Sequence, residues 1–83
     1  MGPGSGSVKA MIENLVKSFV DHPDAVEVSE GSRSDALVVE LRVDPDDLGK
    51  VIGRQGRTAR ALRTLVGVAG EKIRKRSILQ ILE

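Results

Sequence analysis

Cysteine is absent from the 83 residues, and histidine occurs once, at His22. Without cysteine the chain can form neither a disulfide nor a thiolate metal site, and a single histidine excludes a metal site built on a histidine pair. Nucleophilic catalysis would need a side chain such as cysteine or serine activated by an adjacent base. The sequence therefore predicts no enzyme, no cofactor, no metal and no small-molecule substrate.

Tryptophan and tyrosine are also missing, and Phe19 is the only aromatic residue, which excludes a sheet that stacks bases on aromatic rings. No stretch approaches the roughly 20 apolar residues of a membrane span, and no signal peptide is recognisable. We therefore expect a cytoplasmic protein without a membrane partner. Residues 1–7 contain only methionine, glycine, proline and serine. They are interpreted as a flexible leader or expression remnant, and residues 8–83 as a single domain.

The residues that are present predict a small folded domain with two electrically different halves. Leu, Ile, Val and Phe account for 25 of 83 residues, well above the roughly 20% typical of disordered chains. Residues 1–48 carry 4 basic and 10 acidic side chains (net −6), whereas residues 49–83 carry 9 basic and 2 acidic ones (net +7). This separation favours a polyanionic partner for the second half, although basic residues also simply solubilise a surface.

The first half of the chain is predicted to form a helix and two strands. Residues 8–21 repeat apolar side chains at the i, i+3, i+4 spacing of an amphipathic helix, and Pro23 lies just beyond its end. Strands are predicted over residues 26–29 and 36–43, with a polar turn over residues 30–35 between them.

The second half is predicted to form two helices and a closing strand. Asp44 is the expected cap of a helix over residues 45–52, and helix capping explains Asp47 and its neighbours better than a metal site does. A third helix is predicted over residues 57–73 and a strand over residues 77–83. Because helices connect the last two strands, these strands can be parallel. We expect an α+β two-layer sandwich, a three-stranded mixed sheet covered on one face by three helices.

The segment that carries chemistry is the Gly-x-x-Gly turn over residues 53–56, between the second and third helices. Glycine lets the backbone adopt strained angles and lets a ligand backbone approach closely. The turn leads into a helix N-terminus, whose unpaired N–H groups favour an anion. A phosphodiester backbone fits this arrangement, and the glycine spacing matches neither a dinucleotide-binding fingerprint nor a P-loop. Basic side chains surround the turn: Lys50, Arg54, Arg57 and Arg60.

The run Val51–Arg57 resembles the signature of the KH domain, an RNA-binding module whose GXXG loop clamps the nucleic-acid backbone. The element order resembles the type II form, and KVIGRQGRTARALRTL and ILQILE resemble small bacterial proteins made of one KH domain. The resemblance implies that single-stranded RNA binds in a groove between the helix-loop-helix and the closing strand with its preceding loop. The residues that it assigns to this groove are Lys50, Ile52, Gly53, Arg54, Gln55, Gly56, Arg57, Ala59, Arg60, Leu62, Arg63, Lys72, Arg74, Lys75 and Arg76.

Within this set the resemblance implies distinct roles. Gly53 and Gly56 match the invariant glycines of the module, and the two residues between them match its variable loop positions. An apolar groove floor is matched by Ile52, Ala59 and Leu62. The chain departs from the family pattern at Ala59, where isoleucine is usual, and near Arg74, where a glycine often ends the third helix.

The same resemblance implies an RNA chaperone or post-transcriptional regulator that works in a pair, with itself or with a larger KH protein. Leu65 and Val68 are the predicted contacts, as apolar residues that a three-stranded core cannot absorb. One alternative is a DNA-binding helix-turn-helix, although the mostly arginine face suits phosphates better than base edges. The other is a protein-interaction domain with a vestigial loop, which the basic and uncharged pair Arg54-Gln55 argues against.

Overall fold

The computed structural model describes residues 8–82, so the predicted leader over residues 1–7 and the terminal Glu83 lie outside the described residues. The helices and strands follow the predicted order: α1 Val8–Lys17, β1 Glu27–Arg33, β2 Ala36–Arg42, α2 Leu48–Ile52, α3 Arg57–Lys72 and β3 Arg76–Leu82. Strand β2 is central, antiparallel to β1 and parallel to β3. The predicted α+β architecture with a mixed sheet is confirmed.

The core lies between the helices and one face of the sheet. Side chains on this face alternate along β2, where Leu37, Val39 and Leu41 are each at most 4% exposed. They form one cluster with the buried stripes of α1 and α3, which are Val8, Ile12, Val16, Leu62 and Val66. Within residues 8–82 no helix combines the length and the hydropathy that a bilayer crossing requires.

Helix α1 ends at Lys17, four residues earlier than predicted. The N–H groups of the two residues after Lys17 bond three residues back instead of four, and the donors that follow make a contact that local periodicity does not predict. The backbone N–H groups of Asp21 and His22 donate to the carboxylate of Asp47, at 3.1 and 2.9 Å. These donors are therefore not available to continue the helix, although the apolar residues just before them still pack against the core.

The β1–β2 hairpin turns later than the sequence predicts. The predicted polar turn over residues 30–35 is wrong, because β1 continues to Arg33, which pairs with Ala36 across a two-residue turn. Ser34 adopts a φ of 45° and so takes the left-handed position. Gly31, a glycine inside the predicted turn, is an ordinary strand residue opposite Val38.

The predicted cap of the second helix is confirmed, but the helix itself is short. The Asp44 side chain accepts the N–H of Asp46 at 2.9 Å, and a 3₁₀ turn over Pro45–Asp47 then leads into the five residues of α2. Helix α3 is found within one residue of its predicted end. Two consecutive helices thus connect β2 to its parallel neighbour β3 and place the Gly-x-x-Gly turn at the junction of α2 and α3.

Candidate nucleic-acid interface

The turn between α2 and α3 has an unusual backbone. Three of its four residues have positive φ angles, 79° at Gly53, 57° at Gln55 and 73° at Gly56. Glycine adopts these angles without steric cost, whereas for Gln55 they are unfavourable. The N–H of Gly53 donates to the carbonyl of Gly49 and ends α2, and α3 begins directly after the turn, at Arg57.

The two glycines of the turn are required for different reasons. A Cβ atom on Gly53 would lie 2.4 Å from Oγ1 and 2.8 Å from the backbone nitrogen of Thr58, so α3 packs directly against this backbone. A Cβ atom on Gly56 would meet no heavy atom within 4 Å, and only its φ angle favours glycine. Gly53 therefore fixes how the loop sits on α3, while Gly56 leaves open space in front of the backbone.

The start of α3 carries no side-chain cap. Its N-cap residue is Gly56 in the left-handed conformation, with no side chain that could accept the first helical N–H groups. Helix starts of this kind combine unpaired donors with the positive end of the helix dipole. The start of α3 is thus suited to an anion such as a phosphate.

The nine basic side chains predicted at the interface fall into two groups. Three are held within the protein by the pairs Lys50–Asp21, Arg60–Gln55 and Arg76–Asp35, at N···O distances of 2.5, 2.7 and 3.4 Å. The other six make no side-chain hydrogen bond or ion pair with any residue in the range 8–82: Arg54, Arg57, Arg63, Lys72, Arg74 and Lys75. These six charges are free to meet an external anion.

The three residues predicted to form the groove floor occupy different depths. Ile52, at the end of α2, is 41% exposed. Ala59 and Leu62 are 4% and 0% exposed, and Leu62 belongs to the core cluster. Ile52 is therefore an apolar side chain that α2 presents at the surface, whereas Ala59 and Leu62 lie on the buried face of α3.

A shallow cavity of about 260 Å³ lies between α3 and the closing strand β3. Its lining residues are Arg63, Val66, Ser77, Ile78 and Leu79. The three strand residues were not assigned individually from the sequence. The alternation of β3 was the available signal, but it does not show which of its residues border α3.

Side chains alternate between the two faces of β3, and this alternation places Arg76 on a different surface from the other basic residues predicted at the interface. Its side chain lines a hollow of about 310 Å³ together with Val38 and Gln80, on the face of the sheet away from the core. The guanidinium pairs there with Asp35, in the hairpin turn. The structure thus places Arg63 at the α3–β3 cavity and Arg76 on another surface.

The C-terminal end of α3 explains the missing family glycine. Arg74 itself adopts a φ of 59°, the left-handed conformation in which a glycine would be expected. The N–H of Lys75 donates to the carbonyl of Gly70 at 2.8 Å, and the N–H of Arg74 donates to that of Glu71 at 3.1 Å. This pair of bonds is a Schellman motif, so the helix ends as a glycine would end it, with a cation in its place.

A buried carboxylate that the sequence did not single out as functional holds α2 in place. Asp47 is 0% exposed and accepts three hydrogen bonds, from the N–H groups of Asp21 and His22 and from Nδ1 of His22 at 3.1 Å. Lys50, one turn along α2, pairs with Asp21 of the same segment. We call these four residues the clamp. Sequence reasoning took Asp47 for a capping residue, because the contact spans about 25 residues.

Ionisation of the clamp follows from these contacts. Burial by itself raises the pKa of the Asp47 carboxyl, but the N–H donors of Asp21 and His22 and the His22 ring outweigh it, and its pKa lies below the ordinary value. The hydrogen bond to Asp47 raises the pKa of His22. The hydrogen bond to Asp21 likewise raises the pKa of the Lys50 amine.

One group of potential metal ligands lies beside the clamp. His22, Asp44 and Asp46 each bring a ligand atom within 4.8 Å of the others. Asp44 already caps the N–H of Asp46, and Nδ1 of His22 is already bonded to Asp47. Capping and the clamp explain this cluster without an ion.

Comparison with known proteins places this geometry in a family. The family model described as "KhpA/KhpB, KH domain" matches residues 9–81. The RNA-binding protein KhpA of Aquifex aeolicus is 52% identical over 77 residues, which cover 93% of this chain and 98% of the relative. KhpA of Halalkalibacterium halodurans is 49% identical over 92% of this chain and 100% of its own. KhpA of Streptomyces coelicolor is 61% identical over 71% of this chain and 75% of its own.

Proposed function

This chain belongs to the KhpA/KhpB family of KH domains, and we propose that it binds single-stranded RNA. The observation that carries the proposal is the turn over residues 53–56. Three of its four residues have positive φ angles, the start of α3 carries no side-chain cap, and the side chains of Arg54 and Arg57 beside it have no partner in residues 8–82. A phosphodiester backbone offers the negative oxygens that these donors need.

We assign the bases to the surface beside the loop. Exposed Ile52 and the 260 Å³ cavity at Ser77 and Ile78 give apolar and polar contacts for unstacked bases. Paired RNA hides its base edges in a deep and narrow major groove, so this shallow surface favours single strands. With Phe19 as the only aromatic residue, stacking contributes little, and phosphate contacts supply most of the affinity. We therefore expect binding with weak sequence preference.

Pairing with a second KH domain completes the proposal. A single KH groove holds only about four nucleotides. Apolar side chains on the helices are exposed by 46% at Val68, 49% at Met11 and 42% at Leu15, and half-buried Leu65 packs on the core. A copy of this chain or a KhpB-like KH protein would cover them, and joining two grooves raises avidity roughly 10²–10⁴-fold. The pair would act as an RNA chaperone or post-transcriptional regulator, in the cytoplasm, where bacterial RNA lies.

A double substitution in the loop tests RNA binding. Changing Arg54 and Gln55 to aspartate places negative charge against the phosphates and the helix dipole, so affinity for a short unpaired RNA should fall at least about 30-fold. Fluorescence anisotropy measures affinity, and circular dichroism checks the fold. The matched control changes Arg33 and Ser34 to aspartate, which alters the net charge equally and also includes a residue of positive φ.

Loss of affinity in the loop variant alone supports the proposal. Equal affinity of the folded loop variant and the wild type would refute the placement of RNA on this loop. Tighter binding to duplex DNA than to single-stranded RNA would instead favour the helix-turn-helix alternative.

The pairing is tested separately by light scattering across a concentration series. Val68→Glu should lower the mass of any self-associated species and weaken complex formation with a KhpB-like protein, while Ser32→Glu on β1 should change neither. A wild type that is strictly monomeric and ignores such a partner would contradict the pairing.

A further inference from the structure

One predicted phosphate contact has a different partner in the structure. Nη2 of Arg60 donates to the backbone carbonyl of Gln55 at 2.7 Å, across the loop and back from the first turn of α3. Arg57 and Arg63, one turn to either side on the same helix, have no such partner among residues 8–82. Arg60 therefore differs from its neighbours in contact, although all three are exposed arginines.

The carbonyl that Arg60 holds belongs to the strained residue of the loop. Gln55 has a φ of 57° and lacks the freedom that Gly53 and Gly56 have at similar angles. Because a charge-assisted hydrogen bond joins the Arg60 side chain to the loop, each restricts the conformation of the other. Losing the guanidinium should let Gln55 relax toward negative φ and so change the conformation of the loop.

The same bond changes the electrostatics of the loop. A carbonyl oxygen carries partial negative charge, and at Gln55 it lies within the segment that meets the phosphates. The guanidinium of Arg60 neutralises it with one of its five N–H donors. The partial negative charge of the Gln55 carbonyl then no longer opposes the approach of a phosphate to the loop.

Building on the proposed function, we infer that Arg60 is a positioning residue that holds the GXXG loop in its RNA-binding conformation through the Gln55 carbonyl. Phosphate contact is the task of its unpaired neighbours, such as Arg57. The inference depends on the 2.7 Å contact and the positive φ of Gln55. An arginine that only attracts phosphate would need neither a bond to the loop nor a strained residue at the other end of that bond.

The test compares Arg60→Gln with the matched variant Arg57→Gln, which removes the same charge from the same helix. Each phosphate contact to a single strand contributes about 0.7 to the slope of log affinity against log salt. Arg57→Gln should lower the steepness by about that amount. Arg60→Gln should weaken binding about five- to tenfold and leave the slope unchanged, because the number of neutralised phosphates stays the same.

Backbone ¹⁵N relaxation of the free protein gives a readout independent of RNA. Order parameters at Gln55 and Gly56 should fall in Arg60→Gln and stay at the wild-type value in Arg57→Gln. Unchanged loop order in Arg60→Gln, or a slope reduced as much as in Arg57→Gln, would overturn the inference. If the wild type fails to bind RNA, the proposed function is wrong, and the relaxation measurement still decides whether Arg60 holds the loop.

Discussion

The two ends of α3 solve the same geometric problem with different residues. Both ends contain residues of positive φ, which are Gly53, Gln55 and Gly56 at the N-terminal end and Arg74 at the C-terminal end. At the N-terminal end a Cβ on Gly56 would stand in otherwise open space, so the glycine leaves room that the proposed RNA backbone would use. At the C-terminal end the positive φ angle belongs to an arginine, which is strained there but contributes a positive charge. In the proposed function, the N-terminal end would contact RNA through its backbone and the C-terminal end through a side chain.

Each end also contains one glycine that packing demands. At the N-terminal end Gly53 lies against Thr58, and at the C-terminal end a Cβ on Gly70 would be 2.8 Å from the carbonyl oxygen of Lys75. The C-terminal end closes with the two Schellman bonds. The N-terminal end has no side-chain cap. The C-terminal end therefore closes on carbonyls of α3 itself, whereas the N–H groups of Gly56 and Arg57 at the other end bond back to Gly53 and Arg54 of the loop.

The largest expected effect comes from adding a methyl group at Gly53. Gly53→Ala combines an unfavourable φ of 79° with overlap on Thr58, so we expect the free energy of unfolding to fall by about 3 kcal/mol. For a domain of this size that lowers the thermal midpoint by more than about 10 °C. Thermal unfolding followed by circular dichroism measures it.

Two further alanine variants separate strain from overlap. Gly56→Ala has a φ of 73° but open space, and should cost about 1 kcal/mol. Gly49→Ala in α2 has neither problem and should be neutral or stabilising, because alanine has the higher helix propensity. If the three variants were equally stable, close packing at Gly53 would not distinguish this end of the helix.

A smaller effect of opposite sign is expected at Arg74. Arg74→Gly relieves the left-handed strain at a φ of 59°, partly offset by the greater freedom of glycine in the unfolded chain, and should stabilise the domain by up to about 1 kcal/mol. RNA affinity should fall modestly, because one unpaired cation is lost. Arg74→Gln is the control that loses the charge but keeps the strain. A midpoint for Arg74→Gly no higher than that of Arg74→Gln would contradict the account of this end.

The sequence predicted those parts of the molecule that depend on local pattern. The Gly-x-x-Gly turn, the Asp44 cap and the long helix α3 follow from spacing within a few residues. The hairpin turn was misplaced because Gly31 is a stronger turn signal than Ser34, and only the strand pairing decides between them. Local glycine content could therefore predict that a turn exists but not where it lies.

The rest depended on contacts that no local pattern records. The carboxylate of Asp47 meets backbone groups about 25 residues earlier in the chain, and no local pattern connects His22 with it. Arg60 was assigned to phosphate because an exposed arginine beside a loop suits that role, whereas its side chain reaches the Gln55 carbonyl. Side-chain partners of this kind depend on tertiary placement, so residue type alone could not predict them.

The smallest expected effect concerns the clamp, which holds α2 next to the N-terminal end of α3. The pKa of His22 is raised above its ordinary value of 6.5, so its contribution to stability is complete below that pH and is lost as pH rises through the raised pKa. The pKa of Asp47 is lowered from 3.8, so its contribution is lost only as pH falls through the lowered value. The clamp is therefore strongest between about pH 4 and 6.5.

His22→Gln isolates this contribution, since glutamine keeps the backbone N–H that Asp47 accepts but cannot become charged. The acidic neighbours Asp44 and Asp46 also raise the pKa of His22, and they act only on the protonated ring that the variant lacks. We expect the midpoint of the wild type to exceed that of His22→Gln by about 2 °C at pH 5.5 and by less at pH 8.5, because half-exposed ion pairs contribute little. Thermal unfolding of both proteins at the two pH values measures the difference. A gap that widens with rising pH would mean that His22 does not strengthen the clamp by its charge, and that α2 is held by the backbone donors of Asp21 and His22 alone.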